Sequence, residues 1–157
     1  MKLSEIISPG CIRLDVDATS KKRVLESASQ LLAATDESLS PRQVFDCLIA
    51  REKLGSTGLG HGVAIPHARL AGLDKTIGAF IRTQKGVDFD APDQEPVDLI
   101  FALLVPEEST EEHLQVLASI ANYFNSDGWR DALRVDISPE KVCELLCRAD
   151  NQDTEAS

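Results

Sequence analysis

The sequence predicts an α/β fold, a sandwich of helices around a mixed β-sheet. Helical and strand patterns alternate along the chain. Two helix starts are marked by Ser-Pro pairs, and residues 98–105 are apolar enough for a strand buried on both faces. These patterns carry no strand order.

Taken in turn, Ser20 is placed to cap a helix through Leu25, Ala28, Leu31 and Leu32, which recur at three and four residues. Ser40-Pro41 opens a second helix, with Val44, Cys47, Leu48 and Leu54 as its apolar side, and Gly55 ends it. Residues 55–62 hold four glycines in eight positions, and a short apolar strand follows at 63–65, cut off by Pro66. Residues 76–82 and 98–105 read as two further strands. Residues 107–125 read as one long helix carrying Leu114, Leu117, Ile120, Ala121 and Phe124 on one side. Ser138-Pro139 begins the last helix, with Val142, Leu145 and Leu146 facing inward. One domain is expected over residues 1–149, with a polar, disordered tail at 150–157.

Length and composition exclude several classes. A chain of 157 residues buries roughly two-thirds of its unfolded surface, and 43 % hydrophobic content is ordinary for a globular domain. No apolar run approaches the ~20 residues of a membrane span, and the first residues lack a signal-peptide core, so the cytoplasm is the expected compartment. Sixteen basic against 26 acidic residues give a net charge of −10, which repels nucleic acid and anionic membranes and favours a partner with a basic face. The densest basic cluster, Lys21-Lys22-Arg23, reads as an exposed first turn of helix. Cys11, Cys47, Cys143 and Cys147 form no CxxC or zinc-ribbon pattern and read first as core thiols, with redox sensing and metal binding as lesser alternatives.

Chemistry-bearing residues gather around the glycine segment. Pro66 has no N–H and a fixed φ, so it ends the strand ladder and sets His67 at the sheet's edge, where ligand sites form in α/β folds. A neutral imidazole has a free lone pair near pH 7 and accepts a phosphoryl group without a separate base. Negative charge then spreads over three equatorial oxygens and calls for cations and N–H donors. Arg51 can supply a guanidinium fork, His113 an N–H, and Ser56, Thr57 and Gly58 hydroxyl and backbone donors, without a metal or cofactor. Each piece also has a plainer reading. His67 could be a loop residue, Arg51 could complement the helix dipole, His113 could face solvent, and the glycines could only make a turn.

The stretch Arg51-Glu-Lys-Leu-Gly-Ser-Thr-Gly-Leu-Gly-His-Gly-Val-Ala-Ile-Pro-His67 closely resembles the active-site signature of phosphotransferase-system EIIA domains of the mannitol, fructose and nitrogen type. Pro96-Val-Asp-Leu-Ile-Phe-Ala-Leu-Leu-Val-Pro106, followed by His113-Leu114, is a second match, and the resemblance runs over about residues 2–148. The nitrogen-regulatory branch is the nearest in wording. The resemblance implies an EIIA fold, phosphorylation of His67, and assistance from His113 and Arg51. It implies a cytoplasmic phosphocarrier that takes its phosphoryl group from an HPr-like phosphohistidine protein (NPr in that branch) and regulates protein targets by its phosphorylation state. A sugar-specific EIIA passing phosphate to an EIIB domain is the alternative. Two positions depart from the family pattern: His61 stands where Asn is usual, and Ala68 where Gly is common. His61 either adds a titratable group beside the phosphate or points outward; the outward reading is preferred, and His61 is left out of the catalytic set. A binding module that signals without phosphate, and a metal-dependent hydrolase on His61, His67 and His113, are further readings. The hydrolase is disfavoured because a spacing of six across a glycine loop is no zinc pattern. The sequence carries no signal for oligomeric state.

Overall fold

The computed structural model describes residues 2–108, 110–136 and 138–148, so the expected tail at 150–157 lies outside the described residues. Among the described residues the architecture is a mixed six-stranded sheet with five α-helices. Strand β1 (Ile12–Val16) leads into α1 (Lys21–Ala33) and α2 (Pro41–Leu54). Three short strands follow, β2 (Gly58–Gly60), β3 (Val63–Ala64) and β4 (His67–Leu70), and then two long ones, β5 (Ile77–Val87) and β6 (Val97–Pro106). Helices α3 (Thr110–Tyr123), α4 (Asp127–Val135) and α5 (Pro139–Cys147) complete the chain.

The helix starts follow the expected chemistry. Ser20, Ser40 and Ser138 each accept a hydrogen bond from the backbone N–H three residues on, at 3.2, 3.1 and 3.1 Å. Pro41 and Pro139 occupy first turns, where a missing N–H costs nothing.

The sheet runs β1-β5-β6-β3-β2, with β4 also pairing β6. β1 is parallel to β5, β5 is antiparallel to β6, and β3 and β4 both lie parallel to β6. Every residue from 77 to 83 and from 99 to 105 is buried, so both faces of the two central strands are covered. Phe124 joins α3 to this core, with ring centres 6.4 Å from Phe80 and 6.3 Å from Phe101, two residues paired across β5 and β6.

Several expectations need correction. Leu54 is 84 % exposed and Leu114 is 65 % exposed, so neither joins the core. The helix expected over 107–125 is shorter, and a separate α4 follows it. Lys21 is half-buried rather than a free first-turn cation, because its ammonium reaches inward to Glu52. Pro66 interrupts the sheet for two residues only: β3 ends at Ala64, and His67 begins β4 rather than lying beyond a strand end. The amide of Leu103 donates to the Pro66 carbonyl at 2.9 Å, and His67 pairs in register with Leu103. β4 pairs β6 alone, so His67 does lie at the sheet's edge, as expected, while its backbone is stitched to that central strand.

Candidate active site

Three elements bring the candidate residues together: the last turn of α2, the start of β4 and the first turns of α3. Arg51 lies in the last turn of α2, where its Nη1 donates to the Gly55 carbonyl at 2.9 Å. The guanidinium therefore does close the helix end, as the plainer reading has it, and its side chain also borders the clefts beside His67. His113 reaches in from α3, with its ring centre 5.2 Å from that of His67. It is only 6 % exposed, which excludes the solvent-facing reading.

The histidines are in different electrostatic states from free imidazole. His67 Nδ1 lies 2.8 Å from the Ile65 carbonyl oxygen. A carbonyl only accepts, so Nδ1 carries the proton, and in the neutral ring Nε2 keeps its lone pair. Burial pushes the His67 pKa below the ordinary histidine value; the Ile65 bond opposes that shift, Arg51 adds to it and Glu52 opposes it. Burial also lowers the pKa of His113, helped by His67, Arg69 and Arg51. Its Nδ1 is buried without a hydrogen-bond partner.

Two clefts flank His67. One, of about 350 Å³, is lined by Arg51, Ile65 and His67 together with Leu59 and Leu117. The other, of about 460 Å³, lies between Cys47, Leu54, Arg69 and His113. Ser56, Thr57 and Gly58 line the first cleft, but both hydroxyls and the N–H groups of Thr57 and Gly58 are engaged inside the protein. Ser56 Oγ donates to the Phe89 carbonyl at 2.5 Å and accepts from the Gly58 N–H at 3.0 Å. Thr57 gives its N–H to Glu52 Oε1 at 3.0 Å and its hydroxyl to Glu52 Oε2 at 2.8 Å.

His61 stands apart. It is exposed, has a positive φ of 58°, and gives its N–H to Asp93 at 2.9 Å while its carbonyl accepts from Arg134. It borders a different depression, with Asp93, Asp98 and Arg134. Among the described residues no three His, Cys, Asp or Glu side chains converge as a metal site requires. Sequence reasoning missed Glu52, which the structure buries against Thr57 at the foot of the site. Its signal lay in the motif itself, as the one carboxylate between Arg51 and the glycines.

Comparison with known proteins decides the family. The model for the phosphoenolpyruvate-dependent sugar phosphotransferase system, EIIA 2, matches residues 5–149. The chain belongs to this EIIA family. A nitrogen regulatory protein of Pseudomonas aeruginosa is 44 % identical over 151 residues, covering 96 % of this chain and 98 % of that one. The crystal structure of nitrogen regulatory protein IIA-Ntr from Neisseria meningitidis superposes with a TM-score of 0.87 at 53 % identity, covering 92 % of this chain and 98 % of that chain. The IIA mannitol structure from Escherichia coli gives 0.75 at 26 % identity, covering 89 % and 98 %. This EIIA chain is therefore of the nitrogen-regulatory phosphocarrier type, and the mannitol-specific relative is more distant. No helix among its described residues is long and apolar enough to cross a membrane.

Proposed function

We propose that this EIIA chain is a phosphohistidine relay in which His67 Nε2 takes a phosphoryl group from an HPr-like protein of the NPr kind. The bond from His67 Nδ1 to the Ile65 carbonyl carries the reading, because it leaves the nucleophilic nitrogen unprotonated and facing the clefts. The Nε2 lone pair forms the new N–P bond as the donor's P–N bond breaks, and that electron pair returns to the donor imidazole. With the ring proton retained on each side, one neutral imidazole attacks and another leaves. Arg51 balances charge on the equatorial oxygens, and His113, with its ring centre 5.2 Å from that of His67, donates a ring N–H to one of them. Ser56, Thr57 and Gly58 serve as phosphate donors only if their internal bonds are exchanged, so they support the loop first.

The output is regulatory. Phosphorylation adds nearly two negative charges at one point of an already acidic surface, and cytoplasmic protein targets are distinguished by that change. Incubation with phosphoenolpyruvate, an EI-type enzyme and an HPr-like donor is expected to label the protein once, and His67→Ala to abolish the label. Labelling retained in His67→Ala would overturn the assignment.

A further inference from the structure

Glu52 is a carboxylate with a side chain 3 % exposed, directly after Arg51 and outside both clefts. Burying such a group is costly unless its oxygens are fully engaged. Here they are. Lys21 Nζ stands 3.2 Å from Oε1, 3.5 Å from Asp90 and 5.3 Å from the centre of the Phe89 ring. The Thr57 N–H donates to Oε1 at 3.0 Å, and its hydroxyl lies 2.8 Å from Oε2 and 3.2 Å from Oε1, so both donors of that residue are held by the one carboxylate.

Thr57 passes this constraint onward. Its carbonyl accepts from the Ile65 N–H at 3.0 Å, and the Ile65 carbonyl accepts from His67 Nδ1 at 2.8 Å. The peptide between Ile65 and Pro66 has no N–H of its own, so that carbonyl cannot be anchored through its own peptide unit. On the side away from β6 it is held through Thr57. A continuous chain thus runs from Lys21 through Glu52, Thr57 and Ile65 to the ring of His67.

We propose that Glu52 is a positioning residue that selects the His67 tautomer with the proton on Nδ1. The proposal rests on His67 being the phosphoryl acceptor, since only then does a free Nε2 matter to activity. Glu52 does not touch the phosphoryl group. It keeps the Ile65 carbonyl where the wrong tautomer would lose a hydrogen bond.

The test is imidazole ¹⁵N NMR on the full chain at neutral pH, together with the rate of His67 phosphorylation by phosphoramidate. Wild type is expected to show one neutral tautomer, protonated at Nδ1. Glu52→Ala should show both tautomers, with phosphorylation slowed roughly two- to tenfold, the reciprocal of the fraction left in the reactive form. Glu52→Gln, which retains an acceptor for Thr57, should restore the single tautomer. A folded Glu52→Ala with the wild-type ring spectrum overturns the proposal. Should that variant not fold, Thr57→Val decides in the same way, because it removes the 2.8 Å bond and leaves the backbone in place. If wild type takes no label on His67, the acceptor reading fails, and the ring spectra still judge Glu52 independently.

Discussion

Replacing His113 by leucine separates stability from phosphoryl transfer at one position. His113 is 94 % buried, and its Nδ1 has no partner. An unsatisfied buried polar atom costs about 1–3 kcal/mol. Leucine has a similar volume and no nitrogen, so His113→Leu should gain about 1 kcal/mol, the low end of that range, after allowance for imperfect shape. In a 157-residue chain that corresponds to a rise in melting temperature of roughly 2–4 °C. Transfer should move the other way. Losing one donor to developing phosphoryl charge costs on the order of 10²–10³ in rate. Urea unfolding and time-resolved labelling of the same preparation measure the two effects together. A variant destabilised by more than about 1 kcal/mol that still accepts phosphate at the wild-type rate would refute the reasoning, because His113 would then be a packing residue.

Three further outcomes are expected. Both histidine pKa values lie below the unfolded value of about 6.5, so the unfolded chain takes protons first; stability should hold above that pH, fall as pH drops from there through the folded values, and then level off. Urea midpoints measured against pH test this, and a double replacement of His67 and His113 by Gln should flatten the decline. Arg51→Lys keeps the charge but loses the planar fork that bonds Gly55 and faces His67, so labelling should slow roughly ten- to a hundredfold in a stopped assay. His61→Gly relieves a side chain held at φ 58° and should stabilise the chain by about 1 kcal/mol in a urea titration, with labelling unchanged, because His61 lies outside the His67 clefts.

The elements set by local chemistry were legible in the sequence. Serine caps, first-turn prolines and the apolar run of β6 after Asp98 act within a few residues, and each was found where expected. β1 was missed although Ile12, Leu14 and Val16 alternate with polar residues, a short signal lying ahead of the first strong cap. The exposure of Leu54 and Leu114 could not be read from spacing, because it depends on what packs opposite. The site divides similarly. His67, Arg51 and His113 could be named from residue types and motif, and the structure brings them together. The engagement of Thr57 by Glu52 depends on how the chain turns at Gly55 beyond the end of α2, which no periodicity encodes.

The stitching of β4 to β6 bears on how a phosphorylation signal leaves this protein. The Leu103 amide that bonds Pro66 belongs to a strand buried at every residue from 99 to 105, where amide exchange with solvent requires opening on the scale of the whole fold. His67 is paired in register to that strand, so its backbone position is tied to the core. On the proposed relay, a partner senses a change of charge at a residue tied to the core, and discrimination between the two forms rests with the partner's own complementary face.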